Sequence, residues 1–448
     1  MYLFHDALMF FAEIRVIRMK IKLSRDRLLY YMLSLTLLID FLNGLFAGYH
    51  IGVIFRAFLM IICLSIIVRY SSKTMWKCLF VFLFLLMNIS ISTLLFKSRL
   101  GVDVSATMKS VMVFIVSNAI IISYDRYSKI NPDKIIVNNL TYAGGLFLVT
   151  YLLGIGNSSY YFAGSNMGSK GAFLSLNSIN IALLILYIFA VVNFVCSNKK
   201  AVWGLACIYV ALPMLLLGTK TSLIMTIVVP MIVLVINTRK KNTWAIILVL
   251  TIMALMCGNM LWNRIYPMIE ATLNRQLYLF QQRDLVTYIF STRNLRVGET
   301  LNYFFDNFSI LDIFPGRGYY RVHEYIGRGT VIPIEMDWVD ILVSYGLLGF
   351  VYTYFYSIKS IIKYRSIVKT TNGQAYILAA ILIIIYGSLA GHLFLEAISS
   401  TFYAVVIAGC HITFKKNRSQ TSNCTTEKRT ILNMDKHEEA KLWLIGFH

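Results

Sequence analysis

Apolar runs of about 20 residues recur along most of this chain, and short polar segments separate them. A run of that length suffices for one α-helix to cross a hydrocarbon core of about 30 Å. The runs do not alternate apolar and polar residues at every second position, which excludes a membrane β-barrel. The pattern therefore predicts an all-α fold: a polytopic transmembrane helical bundle.

Twelve membrane spans follow from these runs. They cover residues 28–47, 51–68, 76–95, 102–123, 139–156, 175–196, 202–217, 221–237, 243–262, 338–358, 374–392 and 397–413. The segment between the ninth and tenth spans is far longer than any other connection, and a segment of that length needs a purpose or a fold of its own. The chain thus divides into an N-terminal segment, the first nine spans, a large loop, the last three spans and a tail: 1–27, 28–262, 263–337, 338–414 and 415–448.

The charged residues indicate which side of the membrane each connection faces. The chain is 58% hydrophobic and 14% charged, with a net charge of +21, and most of its lysines and arginines lie in alternate connections. Because basic connections face the cytoplasm, both termini are predicted to be cytoplasmic and the large loop to lie on the outer side. Topology and contact with membrane lipids explain the positive charge, and no nucleic-acid partner is expected.

Several kinds of site are missing from the sequence. The seven cysteines lie mostly inside apolar runs and form no CxxC or Cys/His cluster, which predicts neither a disulfide framework nor a zinc site. The chain has no GxxxxGK[ST] motif, which excludes a P-loop nucleotide site. Any chemistry must use an activated donor that already lies on the outer side, and no cofactor or metal is predicted.

The large loop contains arginine but no lysine. Its eight arginines are Arg264, Arg275, Arg283, Arg293, Arg296, Arg317, Arg321 and Arg328. Topology does not require arginine rather than lysine, whereas a planar guanidinium is preferred where carboxylate or phosphate oxygens are bound in pairs. We therefore expect the set as a whole to bind an anion. Pairing with the acidic residues of the same loop is the alternative for any single arginine.

Two stretches of the loop concentrate candidate chemistry. In "FPGRGYYR", glycines flank Arg317, and glycine permits positive φ and close approach of backbone N–H groups to a ligand. In "IEMDWVD", Glu335, Asp337 and Asp340 stand within six residues at the start of the tenth span. Carboxylates at this position can act as a general base or bind a cation, and Asp340 can alternatively favour the helix N-terminus.

Charged residues in and between the spans form a second group of candidates. Lys220 lies between the seventh and eighth spans, where a buried charge is costly and commonly functional, although a lysine can also extend to the membrane surface. Arg56 and Lys109 fall inside apolar runs, and Asp40 of the first span is a candidate partner for either.

Five motifs occur in the order shown by a known group of membrane enzymes. They are "KGAFLSLNSINIALL", "LLGTKTSLI", "FSTRN", "FPGRGY" and "EMDWVDILVSYGLLG", between about residues 165 and 350. With the number of spans and the late large loop, they resemble bacterial polysaccharide polymerases of the Wzy type, in the O-antigen ligase superfamily. Ligases of that superfamily carry a histidine where this chain has Asp337, which favours a polymerase and leaves His323 as a stand-in for that histidine.

The resemblance implies a GT-C-like fold in the bacterial cytoplasmic (inner or plasma) membrane. It also implies a metal-independent glycosyltransferase of O-antigen, capsule or exopolysaccharide biosynthesis. The donor is an undecaprenyl-diphosphate-linked oligosaccharide, whose glycan passes to a sugar hydroxyl of a second lipid-linked unit on the outer face. A flippase and a chain-length regulator are the expected protein partners. Ligase-type glycan transfer and a transporter or flippase of lipid-linked glycans are the alternatives.

Specific roles follow for residues in the matched motifs and their neighbours. Arg293 and Arg317 are predicted to stabilise the charge that develops on the leaving diphosphate. Glu335 and Asp337 are predicted to act as the base that receives the acceptor's proton. Substrate-binding side chains are predicted at Lys170, Lys220, Arg296, Arg321 and His323.

Overall fold

The computed structural model describes residues 24–127, 130–162, 165–237, 270, 274–306, 313–327, 329 and 331–420. The predicted ninth span, most of the N-terminal segment, most of the tail, Arg264 and Arg328 lie outside these residues. Throughout the described ranges the architecture is all-α, apart from one two-stranded antiparallel hairpin and short 3-10 turns.

Long helices form a bundle, and shorter helices belong to the large loop. The bundle helices are α1 (Arg25–Ser34), α2 (Thr36–Leu45), α3 (Ile51–Tyr70), α4 (Ser72–Phe96), α5 (Leu100–Tyr127), α6 (Pro132–Leu153), α7 (Leu176–Cys196), α8 (Lys200–Leu217), α9 (Lys220–Ile236), α13 (Asp337–Tyr364), α14 (Thr371–Ala390) and α15 (Ala397–Gln420). The loop contains a helical segment over 274–281, α10 (Leu285–Ile289), α11 (Arg293–Asp306) and α12 (Tyr319–Ile326). Strands β1 (Ser158–Phe162) and β2 (Ser165–Ser169) form the hairpin between α6 and α7.

The prediction of a polytopic helical bundle is confirmed. Among the described residues, nine helices are long and apolar enough to cross a membrane, or ten if the pair α1 and α2, bent by 57°, counts as one span. Helix α9 corresponds to the predicted eighth span but has only 17 residues. The count of twelve spans, the GT-C-like class and the orientation of the termini stay predictions.

Helix α7 lies at the centre of the bundle. In its most hydrophobic stretch of 18 residues, 89% is buried, which is more than in any other candidate span of the described ranges. A helix that is apolar on every face is stable only when other elements surround it. Helices α8, α9 and α14 pack around α7.

The charged residues of the first two spans pair with each other. Asp40 of α2 is buried and accepts a hydrogen bond from the guanidinium of Arg56 of α3. An unpaired charge inside a membrane bundle is costly, and pairing reduces that cost. The expectation that Asp40 is a partner for Arg56 is therefore confirmed, and Lys109 is left to another role.

The glycines of "FPGRGY" serve backbone packing against a broken helix. Helix α13 is interrupted at Gly346, whose φ of 66° and ψ of −170° are not helical. The interruption exposes carbonyls that accept hydrogen bonds from the loop: Arg317 N donates to Val343 O and Gly318 N donates to Ser344 O, each at 3.1 Å. A Cβ at Gly346 would lie 2.2 Å from Phe314 O, so only glycine allows this contact.

A buried carboxylate attaches the same stretch to two further helices. Asp103 of α5 accepts a hydrogen bond from the backbone N–H of Tyr320 at 2.7 Å and from the hydroxyl of Ser92 of α4 at 3.2 Å. A Cβ at Gly318 would lie 2.6 Å from Cβ of Ser92. The loop is thus held against α4, α5 and α13 where α12 begins.

Candidate active site

Helices α4, α6, α8 and α14 end on the same side of the bundle, and we call this side the loop end. A cavity of about 770 Å³ lies there. Its walls come from the first turns of α5, α7 and α9, from the loop over residues 275–293 and 333–335, and from the connection between α14 and α15. We call it the loop-end cavity. It lies where membrane helices and the large loop meet.

The loop-end cavity is strongly basic. Its charged and imidazole side chains in the described part of the chain are Lys109, Lys220, Arg275, Arg283, Arg293, His392, Glu335 and Glu396. Five of these are lysine or arginine and two are glutamate, so the cavity has an excess of three positive charges before His392 is counted. The N-terminal turns of α7 and α9 add positive helix-dipole potential. This combination favours an anionic ligand.

Lys220 is the first residue of α9, although a helix N-terminus disfavours a cation. Its Nζ donates a hydrogen bond to Tyr288 O at 2.6 Å and lies 3.7 Å from the centroid of the Tyr288 ring. The loop therefore holds this lysine at the cavity wall. Lys220, a predicted binding residue, thus lines the cavity.

Arg293 begins α11 and forms an ion pair with Glu335. Nε and one terminal nitrogen of Arg293 donate to the same oxygen, Oε2 of Glu335, at 3.1 and 2.6 Å. The neighbouring backbone is strained, because Ser291, Thr292 and Glu335 have φ values of 51°, 71° and 67°. Positive φ costs a non-glycine residue of the order of 1–3 kcal/mol and is common at functional sites.

Three other cations of the cavity have no carboxylate within salt-bridge distance among the described residues: Lys109, Arg275 and Arg283. Lys109 lies nine residues into α5, roughly 14 Å along the helix at 1.5 Å per residue. Arg275 stacks on the ring of Tyr160 in β1, 4.1 Å from its centroid. The cation set thus extends from inside the bundle to the surface of the loop.

A buried network of aspartate and histidine lies behind the cavity. Asp340 accepts hydrogen bonds from His323 Nε2 at 2.6 Å and from the backbone N–H of Ile334 at 3.0 Å. Asp337 accepts hydrogen bonds from the backbone N–H groups of Leu393 and Phe394 at 2.5 and 3.3 Å. Asp337 and His323 are fully buried and do not line the cavity, so they hold backbone segments in place.

His392 connects this network to the cavity. Its side chain is 7% exposed and lines the cavity, and Nδ1 lies 3.7 Å from Asp337 Oδ1 and 3.9 Å from Asp340 Oδ2. Neither ring nitrogen has a hydrogen-bond partner in the described part of the chain. Burial lowers the pKa of His392, but Asp337 and Asp340 raise it by more, to about 9. The two carboxylates therefore favour the charged form of the imidazole.

Arg317 does not line the loop-end cavity. It is 6% exposed, and its guanidinium lies 5.3, 5.4 and 5.6 Å from the ring centroids of Phe96, Tyr303 and Phe304. Planar guanidinium groups stack well on aromatic faces. In this structure Arg317 packs the end of α4 against α11. Its side chain is not in the cavity wall, where a ligand would be contacted directly.

Three more predicted binding residues lie elsewhere. Arg296 donates to Pro333 O at 2.9 Å, Arg321 pairs with Glu324 at 3.4 Å, and Lys170 donates to Leu174 O at 2.9 Å. Burial lowers the pKa of Lys170. Of the nine predicted site residues, the structure brings Lys220, Arg293 and Glu335 together in the cavity.

Sequence reasoning missed His392 and Glu396. Both belong to "AGHLFLE", the short connection between the last two spans, which the sequence pattern assigned to the end of a span and its turn. Two ionisable residues in so apolar a region were the available signal. Lys109, Arg275 and Arg283 were visible as charges, but their convergence on one cavity was not.

A comparison with protein-family models gave no match for this chain, and a comparison with curated proteins gave none either. Any assignment of function therefore depends on the geometry of the cavity and on the order of the sequence motifs.

Proposed function

We propose that this chain is a membrane-embedded polysaccharide polymerase that uses a lipid-diphosphate-linked oligosaccharide as donor. The observation that carries the proposal is the loop-end cavity, where lysines, arginines and two helix N-termini converge at the junction of membrane helices and the large loop. The order of the five sequence motifs supports the same proposal.

The charges of the cavity suit the leaving group of such a reaction. When the glycosidic bond of the donor breaks, negative charge develops on the lipid diphosphate, and positioned cations stabilise that charge. Arg293 and Lys220 are held by defined partners, which reduces the reorganisation needed in the transition state. Lys109, Arg275 and Arg283 add charge that no carboxylate offsets in the described residues.

The position of the cavity suits a substrate that is part lipid and part glycan. Lys109 lies within α5, at a depth that a diphosphate attached to a membrane lipid can reach, whereas Arg275 and Tyr160 lie in the loop and hairpin, where a glycan would extend. A ring such as Tyr160 can also stack on a sugar. The acceptor is then a sugar hydroxyl of a second lipid-linked unit.

The test is polymer formation by purified protein in lipid nanodiscs. The substrate is undecaprenyl-diphosphate-linked oligosaccharide extracted from source cells in which this gene has been deleted. We expect polymer without ATP and in the presence of EDTA, and at least a 30-fold lower rate for Lys220→Gln and Arg293→Gln, from about 2 kcal/mol per lost charge-assisted contact.

The control variants are Lys97→Gln and Arg99→Gln, which alter exposed cations at the same end of the bundle but outside the cavity. Both should form polymer at the wild-type rate. Translocation of the lipid-linked unit across liposomes without any polymer would favour the transporter alternative instead. Attachment of a single preformed glycan to another acceptor would favour ligase-type transfer.

A further inference from the structure

We propose that Glu396 is the general base that removes the proton from the acceptor hydroxyl. The inference depends on the proposed glycosyl transfer and adds a catalytic residue to it. Two carboxylates line the cavity in the described part of the chain, Glu335 and Glu396. A base must lie in the cavity, within hydrogen-bond reach of the acceptor, and its carboxylate should not be held in an ion pair with another side chain.

Glu335 is held in an ion pair, whereas the carboxylate of Glu396 is not. Arg293 donates two hydrogen bonds to Oε2 of Glu335. The side chain of Glu396 is half-buried at the cavity wall, and no hydrogen bond or ion pair to its carboxylate occurs among the described residues. Asp337, the other carboxylate predicted as base, is fully buried and bound by backbone N–H groups.

The backbone of Glu396 is held at several points. Ser399 Oγ donates to Glu396 O at 3.0 Å and to His392 O at 2.7 Å. Asp337 accepts hydrogen bonds from the backbone of Leu393 and Phe394 in the same connection. This gives Asp337 a positioning role, because a base on a fixed backbone keeps the geometry that proton transfer requires.

Glu396 lies in the part of the cavity wall that the connection between α14 and α15 forms. His392 belongs to the same connection, and the charge of Glu396 also acts on Asp40 of α2 and Tyr319 of α12. The leaving diphosphate and the acceptor hydroxyl must lie on opposite sides of the reacting sugar carbon in a direct displacement. The cavity has cations on the loop and α9 and a carboxylate on the connection between α14 and α15, so the two kinds of group come from different elements of its wall.

The step is balanced without any co-reactant. The acceptor oxygen forms a bond to the anomeric carbon of the donor glycan while its proton passes to the carboxylate of Glu396. The bond from that carbon to the diphosphate oxygen breaks, and its electron pair leaves with the lipid diphosphate. The proton on Glu396 then passes to water. A direct displacement of this kind inverts the anomeric configuration.

The experiment compares three glutamine variants in the nanodisc assay: Glu396→Gln, Glu335→Gln and Glu299→Gln. General-base catalysis contributes about 10²–10⁴-fold. We expect kcat to fall at least about 100-fold in Glu396→Gln with KM for the donor unchanged, and the acid limb of the pH–rate profile to disappear. Glu299 is exposed on α11 outside the loop-end cavity, and its variant should keep wild-type kcat.

A chemical rescue separates loss of the base from loss of folding. In Glu396→Ala, added formate should restore polymer formation in proportion to its concentration, because a small carboxylate can occupy the space of the missing group. Near-normal kcat in Glu396→Gln, or rescue of Glu335→Ala but not of Glu396→Ala, overturns the assignment. So does retention of anomeric configuration in the product. No polymer from wild-type protein under any condition overturns the proposed function itself.

Discussion

At the scale of single residues, the cavity contains cations where the local backbone disfavours them. Lys220 and Arg293 each begin a helix, and the helix dipole opposes a positive charge at that end. Ser291 and Thr292 precede Arg293 with positive φ. Such unfavourable local features persist when surrounding structure enforces them, and they commonly serve a site.

Replacement of Arg293 by lysine tests whether the planar guanidinium matters. Lysine keeps the charge but loses the two parallel donors, so we expect Arg293→Lys to lower the rate of polymer formation about 30- to 150-fold, from about 2–3 kcal/mol. The measurement is the rate per protein in nanodiscs, with Arg99→Lys as the matched control. Full activity in Arg293→Lys would mean that this arginine serves only its pair with Glu335.

His392 gives a pH dependence of stability with a defined sign. Its pKa in the folded protein is about 9, above the ordinary value of 6.5, because neighbouring carboxylates favour the charged imidazole. A raised pKa means that its contribution to stability is fully present below about pH 6.5 and is lost as pH rises through about 9. We expect the difference in thermal midpoint between wild type and His392→Gln to shrink from pH 6.5 to pH 10. A difference that grows over this range would contradict the charged state of His392.

At the scale of elements, the broken helix α13 connects the bundle to the loop. The break at Gly346 leaves backbone carbonyls without helical partners. These carbonyls accept hydrogen bonds from the N–H groups of Arg317 and Gly318, so they stay paired. The motifs "FPGRGY" and "YGLLG" are therefore two halves of one contact. This contact holds the start of α12, where Tyr319 lines the cavity.

Two glycine-to-alanine variants, one in this contact and one outside it, should change stability in opposite directions. Gly346 has φ 66° and ψ −170°, a region that almost only glycine occupies, and alanine there should destabilise the protein by about 1–3 kcal/mol or more. A Cβ at Gly298 of α11 would meet no atom within 4 Å, and alanine there should stabilise by about 0.4–1 kcal/mol. Thermal midpoints in detergent compare the two. An unchanged midpoint in Gly346→Ala would show that the break is not required.

Replacing Arg317 and replacing Arg293 by lysine should affect stability and rate differently. Because Arg317 is buried among three aromatic rings, Arg317→Lys should lower the thermal midpoint more than Arg293→Lys does. Conversely, Arg293→Lys should lower the rate of the protein that remains folded more than Arg317→Lys does. If Arg317→Lys keeps its stability and loses its rate, then Arg317 contacts substrate, as the sequence motif predicts.

At the scale of the whole molecule, the two ends of the bundle differ in their basic residues. The end opposite the cavity carries exposed lysines such as Lys73, Lys77 and Lys369, whereas arginines predominate in the loop. Basic connections on one side predict that this side is cytoplasmic. The cavity then opens toward the outer side, where a lipid-linked donor would be presented.

Cysteine labelling in intact cells tests this orientation. In a background without native cysteines, Gly298→Cys and Ser366→Cys place thiols at exposed positions at opposite ends of the bundle. An impermeant maleimide should label Gly298→Cys in intact cells and Ser366→Cys only after lysis. The reverse pattern would place the loop-end cavity on the cytoplasmic side and exclude transfer on the outer face.

The sequence by itself determined the class of this protein, because the length of an apolar run is a local property and directly limits where a helix can cross a membrane. Motifs and unusual charges also predicted Lys220, Arg293 and Glu335 as site residues, and all three line the loop-end cavity. The sequence could not decide which of the loop arginines reach the cavity, since Arg317 and Arg293 look alike in sequence and differ only in what surrounds them. Only the tertiary structure brought Lys109, Glu335 and Glu396 to one cavity, because their convergence depends on the packing of helices that are far apart along the chain. The same packing explains the glycines of the loop and of α13, because Gly316 and Gly346 lie against backbone atoms and Gly318 lies against the side chains of Ser92 and Asp103.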